Sequence, residues 1–300
     1  MAPRTKVEVG GRELSLSNLD KVLYPATGFT KGQVVDYYAR IAPVMLEHLR
    51  GRPVTMVRLP DGVEGERFFE KRCPGHRPRW LRTVPLDAGS DTPACAIDDL
   101  PGLVWTANLA ALELHTPQAT AEDPLRPTAM VFDLDPGAPA DVRDCARVAR
   151  ELLDLLEQLG LHAVAKTSGS KGLHVAVGLR PSADAEATKA FALALGRVLE
   201  QRDPEHVTVT MARDQRPGRV FVDWSQNDRH KTTVCAYSLR ATPRPQASTP
   251  VTWDEVDDAI GAPDPGVLNF EADAVLGRVE SSGDYYARSL AADQELPELG

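Results

Sequence analysis

The segment TAMVFDLDPG, residues 128–137, constrains this chain more than any other stretch. Its β-branched and apolar residues read as a strand, in which successive side chains alternate between faces. Met130, Phe132 and Leu134 then form a core face, and Val131, Asp133 and Asp135 take the other. Two carboxylates at successive same-face positions repel, which raises one pKa unless a cation lies between them. A hard divalent ion with oxygen ligands is the natural relief. The same pattern also fits a solvated turn or the DxD of a haloacid-dehalogenase-like phosphatase, although Pro136 replaces the threonine or valine usual after that DxD. In RVFVDWSQN, Asp223 shares a strand face with Phe221 and Ser225. A lone acid in an apolar strand is costly unless paired or metal-bound. The three acids converge only if the two strands are sheet neighbours. So arranged, they suit a two-metal site for in-line phosphoryl transfer.

Between these strands lies KTSGSKGLHV, read as a hairpin with Gly169-Ser170-Lys171-Gly172 at its turn. Its glycines let backbone N–H groups approach phosphate oxygens, Ser168 and Ser170 donate hydrogen bonds, and Lys171 adds charge. His174 lies off the Leu173/Val175/Val177 core face and points to the same pocket. The segment does not fit G-x-x-x-x-G-K-[ST], so it is not a P-loop.

Elsewhere, Thr30-Lys31-Gly32-Gln33 reads as a capping box opening a helix that runs to about Leu49 and stops at Gly51. PVTMVRLP and RFFEKRC read as strands, residues 74–101 as irregular, and 103–114 as a short helix. Amphipathic helices are predicted over 141–159 and from about Ala185 to Arg202. Strands and helices mix without strict alternation, so the fold class is α/β with α+β character.

The net charge of −9 is unevenly spread. Residues 1–82 carry fifteen Lys/Arg against nine Asp/Glu, and residues 83–164 four against fourteen. Residues 165–245 carry thirteen against eight, and 250–300 two against twelve. A polyanion responds to the local field, so the basic segments remain compatible with phosphate binding. Cys73, Cys95, Cys145 and Cys235 are scattered and read as reduced thiols. Cys73-x-x-His76 lacks a second pair and reads as non-ligating. Neither a membrane span nor a secretory signal is seen, so a cytoplasmic, nucleoid-associated protein is expected.

Together NLDKVLYPATGFTK, FFEK, VFDLDPG, TSGSKGLH, VFVDWSQN and KTTVCAYSLR resemble the archaeo-eukaryotic primase superfamily. They are most similar to the polymerase domain of bacterial ligase D and its stand-alone primase-polymerase relatives. The resemblance implies a primase-polymerase-like fold: a central catalytic sheet flanked by helices, with a smaller N-terminal lobe. It implies one catalytic domain, with an N-terminal lobe over 1–125, a core over 126–245 and an acidic helical tail over 246–300. It makes Asp133, Asp135 and Asp223 the catalytic metal ligands, holding two Mn²⁺ or Mg²⁺ ions. Ser168, Ser170, Lys171, His174, Gln226, Arg240 and His115 would hold the NTP or dNTP. Lys21, Lys31, Phe68, Phe69 and Arg216 would contact DNA, the lysines as a 5′-phosphate pocket at a helix start whose N–H groups favour an anion, and at least one phenylalanine also belonging to the core. The activity implied is template-directed addition of nucleotides, ribonucleotides preferred, to a 3′-OH at gaps or broken ends. That is the work of non-homologous end joining or gap repair. The alternative is a DNA-end-binding scaffold recognising a 5′-phosphate for a separate ligase. No KxDG-type ligase motif occurs, so a stand-alone protein or excised domain is expected, monomeric, with a separate ATP-dependent ligase and Ku as partners.

Overall fold

The structure, a computed structural model, describes residues 4–291 and 293–297, which divide into two compact units. The first takes the chain up to Pro117, then 234–248 and 270–283. The second takes 118–233, 249–269 and the described residues beyond 283. The expected C-terminal tail is therefore shared between the units.

The first unit opens with a hairpin of β1 (Arg4–Val9) and β2 (Arg12–Ser17), followed by β3 (Val22–Tyr24) and β4 (Phe29–Thr30). Helix α1 (Lys31–Leu49) begins at the capping box read from sequence: Thr30 Oγ1 accepts from the Gln33 N–H, and Gln33 accepts from the Thr30 N–H. It buries Val34, Tyr37, Tyr38, Ile41 and Met45. The buried phenols are satisfied, Tyr37 donating to the Tyr237 carbonyl and Tyr38 to that of Leu112, both at 2.7 Å. Strands β5 (Thr55–Arg58) and β6 (Phe68–Glu70) follow, then a small hairpin of β7 (Thr83–Pro85) and β8 (Pro93–Cys95). That hairpin lies where irregular chain was expected.

Helix α2 (Leu100–Asn108) is capped by Asp99 and gives way to β9 (Ala111–Thr116). The single helix expected over 103–114 is thus a helix and a strand. Ala110 takes a positive φ of 55°, which ends the helix, and the alternation from Ala111 onward suits a strand. Strand β5 lies antiparallel between β6 and β9. Cys73 and Cys95 are not reduced thiols: they form a disulfide, their Cα atoms 4.8 Å apart. The Cys73 N–H donates to the Pro93 carbonyl at 2.7 Å, so the backbone itself brings the two residues together. Cys145 and Cys235 are free and buried.

The second unit contains β10 (Ala129–Pro136), α3 (Val142–Gln158), β11 (Val164–Thr167), β12 (Leu173–Gly178), α4 (Ala185–Arg202), β13 (Val207–Thr208) and β14 (Val220–Asp223). A 3₁₀ turn, Trp224–Asn227, follows β14. Strand β15 (Thr233–Val234) completes the four-stranded sheet of β9, β5 and β6. Strand β16 (Pro250–Val251) is an edge of the second unit's sheet, and α5 (Trp253–Ile260) follows it. Helix α6 (Ala272–Ser282) lies in the first unit.

The sheet order is β13-β14-β10-β12-β11-β16, antiparallel except for β13 with β14. Helices α3 and α4 pack on it, and Met130, Phe132 and Leu134 are fully buried, as the strand periodicity requires. Among the described residues no helix is long and apolar enough to cross a membrane.

Candidate active site

The chemistry-bearing residues of the second unit lie in one row across its sheet. Register sets Asp133 opposite Asp223 on one side and His174 on the other, and His174 opposite Lys166. Directly opposed residues share a face, so Asp223, Asp133, His174 and Lys166 line one surface of β14, β10, β12 and β11. Asp135, two positions along β10 from Asp133, belongs to the same face. Acids 90 residues apart in sequence thus become cross-strand neighbours.

Contacts follow the row. His174 Nε2 lies 3.2 Å from Asp133 Oδ1, and its Nδ1 lies 3.1 Å from Lys166 Nζ. An ammonium donating to Nδ1 leaves Nε2–H to face the carboxylate, which fixes the imidazole's tautomer and angle. Asp223 Oδ1 accepts from the Ser225 N–H and hydroxyl, and its Oδ2 from Gln226 Nε2 at 3.0 Å. Gln226 also reaches Asp133 Oδ2 at 3.5 Å, so it bridges the two acids. Lys231 contacts the Ser225 hydroxyl and lies 3.9 Å from Asp223 Oδ2. Asn227 bonds both the N–H and the carbonyl of Val131, pinning the 3₁₀ turn against β10.

Asp135 carries the electrostatic strain. Loss of water around its carboxyl and the charges of Asp133 and Asp223 push it up to about 6, with Arg216 and Lys171 pulling the other way. Among the described residues, no three His, Cys, Asp or Glu side chains already close on one point as a metal cage. Asp133 and Asp223 are turned to His174, Ser225 and Gln226 instead. The donor set still fits a hard cation: three carboxylates on one face, one held partly protonated by its neighbours.

The loop between β11 and β12 is built inward. Ser168 Oγ accepts from the N–H groups of Ser170 and Gly172 at 3.2 and 3.1 Å, so those donors are not turned outward to an anion. Gly172 is required by packing, since a Cβ there would stand 2.0 Å from the Leu134 carbonyl oxygen. Ser170 and Lys171 are exposed at the tip. The guanidinium of Arg216 lies 3.6 Å from the centre of the Phe221 ring and donates to the Met211 carbonyl.

His115 and Arg240 fall in the first unit, where both meet one buried acid. Glu113 is buried on β9, with Oε2 2.8 Å from His115 Nε2 and Oε1 3.3 Å from Arg240 Nε. The Ala241 N–H also donates to it at 2.9 Å. Burial alone would raise its pKa, but the His115 hydrogen bond and the Arg240 charge hold it at about 2.

The proposed 5′-phosphate lysines differ from each other. Lys21 is partly exposed and pairs with Asp61 at 2.7 Å. Lys31 is 5% exposed and donates to the Ser17 carbonyl at 2.6 Å, so it is no surface lysine. Burial, with the nearby charges of Lys21 and Arg58, lowers it to about 8. The helix start offers no free N–H groups: those of Lys31, Gly32 and Gln33 go to the Lys21 carbonyl, the Leu19 carbonyl and Thr30 Oγ1. The capping box that starts α1 has used the donors expected for an anion. Phe68 and Phe69 are 41% and 68% exposed, so neither belongs to the core. Edge strand β6 leaves both rings in water.

Residues 30–286 match the family model for the LigD primase-polymerase domain. The chain belongs to that family. The multifunctional non-homologous end joining DNA repair protein LigD of Mycobacterium tuberculosis (strain H37Rv) is 43% identical over 291 residues, 94% of this chain and 37% of that protein. The LigD of Pseudomonas aeruginosa is 34% identical over 250 residues, 82% of this chain and 30% of that protein. The chain therefore spans about a third of the length of these relatives. A solved structure of the polymerase domain from M. tuberculosis ligase D, in complex with DNA, superposes with a TM-score of 0.85 at 41% identity, covering 93% of this chain and 98% of that one. The mixed α/β primase-polymerase fold expected from the sequence is thus the fold of this LigD-family chain.

Three residues that hold candidate side chains in place, one in the first unit and two in the second, do not stand out in the local sequence. Glu113 in ALELHT carries the same signal as Asp223, an acid inside an apolar strand, but was hidden by the helix reading. Lys166 and Lys231 look like ordinary lysines until strand register and the fold of the 3₁₀ turn place them.

Proposed function

We propose that this LigD-family domain is a template-directed polymerase that adds nucleotides, ribonucleotides preferred, to a 3′-OH at DNA gaps or broken ends. The observation that carries this reading is the cross-sheet row of Asp223, Asp133 and His174, with Asp135 beside it. Asp133, Asp135 and Asp223 would hold divalent ions, Mn²⁺ or Mg²⁺. Such ions, when bound, supply positive charge to the attacking 3′-oxygen and to the triphosphate. The chain's own residues do the positioning. His174, locked by Lys166, orients Asp133, and Gln226 holds Asp133 and Asp223 together. Lys171 supplies charge for the nucleotide's phosphates from the loop tip. Ser168 acts by shaping the loop. Work in non-homologous end joining, the role printed for the LigD relatives, with a separate ligase and Ku as partners, is part of this proposal. The direct test is primer extension on a gapped, 5′-phosphorylated template with Mn²⁺ and NTPs; no extension under any divalent ion overturns the reading.

Proton release on metal binding follows from Asp135. Its raised pKa leaves it largely protonated below about 6, so a cation must displace that proton there and need not at pH 8. Calorimetry in buffers of different ionisation enthalpy should show about three-quarters of a proton released near pH 5.5 and almost none near pH 8. Equal release at both would refute the assignment.

The 5′-phosphate pocket is read from charge alone, since the N–H groups of α1 are taken. Lys31, desolvated and beside two other cations, has a deficit of negative charge that a phosphate fills. A gapped duplex with a 5′-phosphate should bind more tightly than one without it, and Lys21→Ala should shrink the difference. A lowered lysine pKa keeps the charge below about 8 and loses it above. The preference should therefore weaken as pH rises from 7 to 9. A preference that is absent, or constant over that range, contradicts the pocket.

A further inference from the structure

Residues 71–86, immediately after β6, contain five Lys or Arg and no Asp or Glu. Arg82 pairs with Asp98 at 2.7 Å. Lys71, Arg72, Arg77 and Arg79 make no ion pair with an acid among the described residues. Lys71, Arg72 and Arg79 are exposed and Arg77 half-buried. A run of charge is usually a solvated face in which each cation finds a nearby carboxylate. This run has none within it.

Its backbone is also fixed. The Cys73–Cys95 disulfide ties the start of the run to β8. The Arg77 N–H donates to the Pro74 carbonyl at 3.1 Å, and the Leu81 N–H to that of Pro78 at 3.0 Å. Two prolines restrict φ between those turns. Leu81 is buried at the far end, and the Arg12 guanidinium stacks 4.4 Å from the centre of the Trp80 ring. A mobile basic tail would have to be ordered on binding; an array held this way would not, and so keeps more of its electrostatic gain.

From these features we infer that residues 71–82 form a rigid basic arm that binds the phosphate backbone of duplex DNA without reading its sequence. The arm continues directly from the strand that presents Phe68 and Phe69. A duplex carries about one negative charge per 1.7 Å of axis, so an array of this length meets several phosphates in any register. Lys21, Lys31 and Arg58 belong to the same unit, and Arg58 stands opposite Phe68 on the neighbouring strand. The duplex that supplies the 5′-phosphate is therefore the one the arm would follow. This inference rests on the reading of the protein as a DNA-end polymerase, but it concerns residues that play no part in catalysis.

The test compares wild type with two quadruple variants of equal net charge. One removes the arm: Lys71→Ala, Arg72→Ala, Arg77→Ala and Arg79→Ala. The control removes Arg4, Lys6, Arg50 and Arg202 in the same way. Affinity for a gapped, 5′-phosphorylated duplex is measured by fluorescence anisotropy across a salt series. The arm variant should lose at least about tenfold in affinity, and its slope of log Kd against log salt should fall by about 0.9 for each phosphate that is no longer neutralised. The control should stay close to wild type in both. Extension rate at saturating DNA and the NTP KM should be unchanged in the arm variant. An arm variant with wild-type slope and affinity, or a control that loses as much, overturns the inference. Failure of the polymerase reading would show differently, as absent extension by a wild type whose salt slope still depends on the arm.

Discussion

Alanine at Asp133, Asp135 or Asp223 should abolish primer extension, by at least about a thousandfold, equivalent to about 4 kcal/mol of transition-state stabilisation. The three acids share one face of adjacent strands, Asp133 directly opposite Asp223. Removing any one breaks the oxygen donor set that the proposed reaction requires. Asp133→Asn should be nearly as inactive, because the amide keeps shape and loses charge. Folding should survive all of these. Asp135→Ala should hold or raise the metal-free Tm, since Asp135 is destabilised by Asp133 and Asp223 when ionised. A folded Asp133→Ala or Asp223→Ala protein extending primers near the wild-type rate would defeat the reading.

Glu113→Ala should be the most destabilising single substitution in the first unit. It leaves Arg240 and His115 facing a buried gap, and breaking such a pair costs about 3–5 kcal/mol. For a chain of this size, a loss on that scale lowers Tm by roughly 5–8 °C. Linkage gives an independent check. The Glu113 pKa is depressed in the folded state, so its contribution is complete above the unfolded value of about 4.5. It is lost as pH falls towards about 2. The stability difference between wild type and Glu113→Gln should therefore shrink over that acid range. If Arg240 contacts the nucleotide, the NTP KM of a folded Glu113→Gln protein should also rise. Unchanged Tm in Glu113→Ala would show that the buried cluster does not hold this unit together.

Much of the architecture was legible where local signals agree. Thr30 and Gln33 announce the start of α1, the alternation in AMVFDLDP gives the buried and acidic faces of β10, and Gly160 follows α3 as predicted. Those features depend on neighbours in sequence. What stayed hidden depends on neighbours in space. Cys73 and Cys95 become a pair only because the chain between them folds back through β7 and β8. Lys31 reads as a phosphate-binding cation at a helix start, and its burial under the Ser17 carbonyl shows only in the folded chain. Phe68 and Phe69 look like one buried and one exposed ring, but β6 is an edge strand and both are exposed. Ala110 carries no turn signal, so the break between α2 and β9 was read through as helix. The acidic triad was legible because its logic is electrostatic. Its partners, Lys166 on His174 and Lys231 on Ser225, were not, because register and the 3₁₀ turn bring them in.

The central claim, that Asp133, Asp135 and Asp223 hold the divalent ions of a nucleotidyl-transfer site, is tested most directly by crystals grown with Mn²⁺ and a non-hydrolysable NTP. Anomalous difference density should place manganese at ligand distance from Asp133 and Asp135, with Asp223 joining the same cluster. A bound triphosphate with manganese held elsewhere, or with these three carboxylates still turned to His174, Ser225 and Gln226, would contradict it.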